Sequence, residues 1–163
     1  MGTMNAQVYE LDDVDRRLIG ALRARGRVSN AELARSLPMA RGTVQSRLAR
    51  LEHVGIITGW GPELDPRTAD HPVTAFTTLS IAQGAHDHVL ADLKCRHEVM
   101  EVHVVTGAGD LLCRLAARTN DHLHAVIQGI VNIKGVLRSE SQLALQTPIH
   151  RTLADIVSSK PNK

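Results

Sequence analysis

Aromatic residues are nearly missing: Tyr9, Trp60 and Phe76 are the only three in 163 residues. A sheet that stacks bases on several rings, or an aromatic box around a ligand, is therefore poorly provided for. Any core has to be aliphatic, which a 43% apolar content can supply. Cysteine is equally scarce. Cys95 and Cys113 make no disulfide framework, and Met1–Gln7 lacks the basic start and apolar run of a secretory signal. A cytoplasmic chain with reduced thiols is expected. No apolar run approaches the roughly 18 residues of a membrane span, so no membrane partner is expected. The twelve glycines and six prolines are scattered, which excludes collagen-like order and low-complexity blocks. What is left is an ordinary soluble chain of one or two compact domains.

Charge is present but uneven. Residues 16–50 hold nine arginines (16, 17, 23, 25, 27, 35, 41, 47 and 50) and one acid, Glu32, a local excess of +8 inside a net charge of +2. An all-guanidinium excess suits a polyanion, because arginine contacts phosphates bidentately and reaches base edges as well. A solvated helix face would have the same composition, so the periodicity has to decide.

Asp12 or Asp13 opens a helix to about Arg25, with Val14, Leu18 and Leu22 forming an apolar stripe, and Gly26 ends it. Ser29 and Glu32 have capping-box spacing and open a short helix to about Ser36, with Leu33 and Leu37 inward. A third helix, Ala40 to His53, directs Val44, Leu48 and Leu51 inward. Gly42, Thr43, Ser46 and Arg50 lie opposite them, with Gln45 and Arg47 on the flanks. Ile56 to Leu64 reads as two short strands about a Gly-rich turn. Three short helices and a hairpin make a winged helix-turn-helix over 1–64. The small first turn of its third helix fits a major groove about 12 Å wide, and the flanking arginines suit phosphates.

Residues 65–72, with Pro66 and Pro72, read as a linker. Strands are then expected over Val73–Ile81, Val99–Val105, Asp110–Ala117 and Val136–Gln146, and helices over Gly84–Arg96 and Asn120–Asn132. That order, βαββαβ over 73–150, predicts a ferredoxin-like sheet with two helices on one side, and an α+β chain as a whole. A short helix within 149–158 would lie in a C-terminal tail over 151–163.

Four segments carry a resemblance: Leu11-Asp12-Asp13-Val14-Asp15-Arg16; Thr43 through Glu52 with Gly55-Ile56-Ile57; Thr106-Gly107-Ala108-Gly109-Asp110-Leu111-Leu112; and Gly135-Val136-Leu137-Arg138-Ser139. In this order and spacing the chain resembles the Lrp/AsnC (feast/famine) family of transcription regulators over residues 11–150. The resemblance implies sequence-specific binding of double-stranded DNA by homodimers, often assembled into octamers, with an amino acid or similar metabolite as effector and no further cofactor. The DNA-binding candidates are Arg41, Gly42, Thr43, Gln45, Ser46, Arg47 and Arg50. Carried over residue by residue, Gly107, Gly109 and Asp110 would form the effector loop, and Ser139 and Ser141 would offer hydroxyls. Glycines allow close backbone approach to a carboxylate, and an acid can hold an ammonium group. The alternative reading of the same loop is a tight turn in which Asp110 accepts local N–H bonds. Departures from the family pattern are Ala40 where a Ser or Thr cap is usual, Pro38 where the turn has Gly, Gly109 at an often aromatic position, and Lys134 where Pro is common.

Other chemistries find less support. His86 with His88, and His122 with His124, are i, i+2 pairs, which on a helix point about 200° apart. Glu101, His103 and Cys113 make a weak metal set across a sheet, so no metal site is expected. No nucleophile setting, phosphate-cradling loop or carboxylate pair points to an enzyme. Two classes of function remain: a ligand-responsive transcription regulator, or a metabolite-binding ferredoxin-like module that controls another protein. A weakly specific architectural DNA-binding protein is a variant of the first.

Overall fold

The computed structural model describes residues 9–26 and 28–159. Two units are distinguished: one formed by the chain up to Pro62 together with residues from Ile149 onward, the other by Glu63–Pro148. Arg27, in the basic stretch, lies outside the described residues. Among those described, no helix is long and apolar enough to cross a membrane.

The first unit is helical. Helix α1 spans Asp13–Arg25 and is opened by a capping box: the Asp12 carboxylate accepts the Asp15 N–H at 2.8 Å, and the Asp15 carboxylate accepts the Asp12 N–H at 3.3 Å. Helix α2, Asn30–Ser36, has the expected Ser29–Glu32 box, with the Glu32 carboxylate accepting the Ser29 N–H at 2.9 Å. Helix α3, Arg41–His53, begins at Ala40 without a side-chain cap bond. Leu18, Leu33, Val44 and Leu51 are fully buried where the three helices meet, with Ile19, Leu37 and Leu48 around them. The buried line of α1 runs through Asp15, Leu18 and Ile19, and Val14 and Leu22 are half-buried at its margins.

The expected hairpin over Ile56 to Leu64 does not form: this segment has no strand. The Ile56 and Ile57 N–H groups both donate to the Leu51 carbonyl, at 2.9 and 3.1 Å, and their side chains pack on the helical core. That commits the would-be first strand to closing α3. Gly59, Gly61 and Pro62 then leave the second strand with little side chain to pack and one missing donor. The wing is a loop, fastened by the Trp60 indole N–H donating to Glu52 at 2.7 Å.

Helix α6, Leu153–Ser158, closes this unit, opened by a Thr152–Asp155 capping box. It lies on α1: Arg23 Nε donates to Asp155 at 3.0 Å, Ala154 and Val157 join the core, and Gly20 faces Ser158.

The second unit holds β1 Val73–Ile81, α4 His86–Lys94, β2 Val99–Val104, β3 Leu111–Ala117, α5 Asn120–Val131 and β4 Val136–Ala144. The sheet order is β2-β3-β1-β4 with every neighbouring pair antiparallel, the ferredoxin-like arrangement. Alternation decides the faces. Ala75, Thr77 and Leu79 of β1, with Leu111, Cys113, Leu115 and Ala117 of β3, are buried against Val89 and Leu93 of α4 and Leu123, Val126 and Ile130 of α5. The opposite face bears Phe76, Leu112, Arg114 and, opposite them on β2, Glu101 and His103. Several elements are shorter than expected, α4 and β4 by two residues at an end. Helix α4 stops at Lys94, and β4 ends at Ala144, because no strand pairs with it beyond Thr74 of β1. Leu145, expected within that strand, lies past its end and is 87% exposed.

Candidate nucleic-acid interface and ligand site

On α3 the inward residues Val44, Leu48 and Leu51 are buried, and Arg41, Gly42, Thr43, Gln45, Ser46, Ala49 and Arg50 are exposed. Helical periodicity alone separates the two sets. The outer face is small and polar at its first turn and cationic at both ends, with no acid among these seven residues.

Arg47 departs from its expected place on the flank toward phosphates. Its Nη1 donates to Asp12 at 2.6 Å and to Asp15 at 2.8 Å, so its charge is held against the start of α1. The Arg47 bond, with the Asp15 N–H, keeps the Asp12 carboxyl below its ordinary range, and the two carboxylates raise Arg47. Asp15 is 1% exposed. It also accepts the Tyr9 hydroxyl at 2.9 Å, a bond that pushes the phenol above its ordinary range. The Arg50 guanidinium lies 4.8 Å from the centre of the Tyr9 ring. Sequence reasoning missed Tyr9 and Asp15. The available signal was an acid four residues after Leu11 and three before Leu18, on the buried side of an amphipathic helix.

In the second unit, the loop between β2 and β3 lies along β1. The Asp110 N–H donates to the Leu79 carbonyl at 2.8 Å, and the Asp110 carboxylate accepts the Ile81 N–H at 2.8 Å. Gly107 has φ +114, a conformation suited to glycine, and a Cβ on Gly109 would stand 2.3 Å from Thr78 Cγ2 and 3.1 Å from the Leu79 carbonyl oxygen. Ser139 pairs with Leu79 from the other side, and Ser141 pairs with Thr77, whose hydroxyl is 2.9 Å from its own. The loop and the two serines are thus brought to opposite sides of β1, about two strand spacings or 10 Å apart. They do not converge, and the Asp110 and Ser141 side chains are already hydrogen-bonded within the unit. Cys113, on the helix-covered face, is fully buried, and burial pushes its thiol up to about 11. Among the described residues no three His, Cys, Asp or Glu side chains gather as a metal site would need.

Residues 11–52 match the AsnC-type helix-turn-helix domain, and residues 74–154 match the Lrp/AsnC ligand binding domain. The regulatory protein AsnC of Escherichia coli strain K12 is 32% identical over 148 residues, covering 89% of this chain and 97% of its own length. The solved structure of E. coli AsnC has a TM-score of 0.82 at 29% identity, covering 90% of this chain and 99% of that one. A transcriptional regulator of Neisseria meningitidis, solved in complex with L-methionine, has a TM-score of 0.81 at 25% identity, covering 88% and 95%. A feast or famine regulatory protein from M. tuberculosis, also complexed with L-methionine, has a TM-score of 0.77 at 29% identity, covering 86% and 96%. With both domain matches in order along the chain, and with a relative of this identity and coverage, the protein belongs to the Lrp/AsnC family of transcription regulators.

Proposed function

We propose that this regulator binds duplex DNA sequence-specifically as a homodimer or a higher assembly of dimers, acts in the cytoplasm by binding rather than catalysis, and is modulated by an amino acid. The observation that carries the reading is the outer face of α3, where Arg41, Gly42, Thr43, Gln45, Ser46 and Arg50 are exposed over a fully aliphatic inner face. Arg41 and Arg50 meet phosphates. Thr43, Gln45 and Ser46 reach base edges, and Gly42 lets the helix approach the groove.

The amino-acid effector is supported by the ligand-domain match and by the two relatives solved with L-methionine. Its site is assigned to Gly107, Gly109 and Asp110 with Ser139 and Ser141. Because these residues flank β1 without converging, a second copy of the chain completes the pocket. The open face of the sheet, with Phe76 40% exposed at its middle, is the surface assigned to that pairing.

The test is selection of duplexes from a random pool by the full-length protein, followed by salt titration with and without single amino acids. Recovery of paired half-sites about 34 Å apart, with affinity falling as salt rises and shifting with one amino acid, is expected. Enrichment of no sequence would overturn specific regulation.

A further inference from the structure

Arg47 differs from its neighbours Arg41 and Arg50 in where its charge goes. One terminal nitrogen donates to two carboxylates of the α1 capping box, Asp12 at 2.6 Å and Asp15 at 2.8 Å. Asp15 is a buried anion, which is costly unless its oxygens are satisfied. Here they are. One takes Arg47, and the other takes the Tyr9 hydroxyl at 2.9 Å and the Asp12 N–H at 3.3 Å. A single carboxylate therefore ties three pieces together: the segment before α1, the first turn of α1, and the middle of α3. The tie extends one step further, since the Tyr9 ring lies 4.8 Å below the Arg50 guanidinium.

Otherwise α1 and α3 share only an aliphatic core, to which Leu18 of the one and Leu48 and Leu51 of the other belong. Aliphatic burial is strong but has no direction. A charge-assisted hydrogen bond has both length and angle. For a helix that reads bases the distinction matters. Contacts to base edges fail when the helix turns or slides slightly, whereas attraction to phosphates tolerates such shifts.

We propose that Arg47 is a positioning residue for DNA reading rather than a phosphate contact. Its bond to Asp15 sets the rotation of α3 on α1, and through Tyr9 the same carboxylate holds Arg50 on the outer face. This rests on the DNA-reading function proposed above, and it replaces the role that position alone assigns to Arg47. Its signature is loss of discrimination without loss of ionic contacts.

The test uses the full-length protein, the duplex most enriched by the wild type from a random pool, and a shuffled duplex of the same composition. Asp15→Asn/Arg47→Gln removes the ion pair with no change in net charge. Its ratio of selected to shuffled affinity is expected to fall about tenfold, the scale of one good base contact, and its salt slope to stay within about half a unit of wild type. Tyr9→Phe removes one hydrogen bond but keeps the ring under Arg50, and is expected to lower the ratio about two- to threefold. Arg50→Ala is the comparator, with its slope flattened by about one unit. A slope lost with the ratio kept in the double variant would make Arg47 a phosphate contact and overturn the proposal. Equal weakening on both duplexes, with a lower melting temperature, would make the cluster purely structural and overturn it as well. If the double variant does not fold, Tyr9→Phe decides: an unchanged ratio refutes the lock. A wild type that enriches no sequence overturns the DNA-reading function itself, before any variant is compared.

Discussion

The helical unit and the sheet unit bury aliphatic side chains with no fully buried aromatic in either core, yet they present function in different ways. In the helical unit the candidate surface is one face of one helix. Every residue of it is exposed in a single copy of the chain, and the core beneath is made by the same helix. In the sheet unit the candidate ligand residues come from a loop and from a strand two places away, and the Asp110 and Ser141 side chains are hydrogen-bonded to neighbours in the same unit. A surface built from one periodic element is complete on its own. A pocket spread over an antiparallel sheet needs something to bring its sides together, which is why the proposed ligand site calls on a second copy of the chain and the proposed reading face does not.

The sharpest way to break the comparison is to damage each core and watch the other. Trp60, the sole tryptophan, belongs to the helical unit, and Cys113 is fully buried in the sheet unit with a thiol raised to about 11. Leu51→Ala empties a fully buried site among three helices and is expected to cost about 2–5 kcal/mol. Tryptophan fluorescence should show an earlier unfolding midpoint and DNA binding should be lost, while Cys113 keeps its resistance to alkylation at pH 8. Equal loss of protection at Cys113 would mean that the two cores melt as one.

The counterpart in the sheet unit is Gly109→Ala. The added methyl meets Thr78 Cγ2 and the Leu79 carbonyl, and displacing them is expected to cost about 1–3 kcal/mol. Cys113 should become alkylated sooner, with the Trp60 transition unchanged. Retained Cys113 protection together with a retained amino-acid response would show that the loop can move off β1 freely, removing Gly109 from the site.

A smaller change sharpens the ligand assignment. Asp110→Ala removes the acceptor for the Ile81 N–H and is expected to lower stability of the sheet unit by about 1 kcal/mol. If Asp110 also holds an effector's ammonium group, the variant loses its response to the amino acid that shifts the wild type, with DNA binding in its absence preserved. Lower stability with an intact response would leave Asp110 as a turn residue alone.

What could be read from the sequence follows the same division. The α3 face was legible because a 3.6-residue period needs no partner to assign inside from outside. The βαββαβ order was legible because alternation and helical periods follow one another cleanly. The wing was not, because the choice between strand and loop turned on the Leu51 carbonyl capturing two N–H groups that a hairpin would have used. The place of α6 was not, because Arg23 and Asp155 are 132 positions apart. Asp12 was legible as a cap, but Asp15 was not legible as its capping-box partner or as the hub of a buried cluster, since pairing with Arg47 depends on how the helices pack. Ser139 and Ser141 were named as candidates only through family resemblance; no periodic signal marks a strand residue whose partner lies on another strand.

The mildest test of the comparison is acid. Three carboxyls of the helical unit are held below their ordinary values: Asp12 by the Arg47 bond, Glu32 by the Ser29 hydroxyl, and Asp155 by the Thr152 N–H. In the sheet unit Glu98 is lowered, by the Glu98 N–H and then by His122. A carboxyl with a depressed folded pKa contributes stability that is fully present above its unfolded value and is lost as pH falls through the folded one, because the unfolded chain binds more protons in that window. The unfolded values are near 3.8 for Asp and 4.5 for Glu, so the loss begins just above them and continues below. With more such groups in the helical unit, its Trp60 transition should move to lower temperature on acidification before the β3 amides lose protection from hydrogen exchange. Asp12→Asn should reduce that acid sensitivity. If the β3 amides open first, some buried charge in the sheet unit outweighs the capping carboxylates, and the reading head is not the more acid-sensitive half.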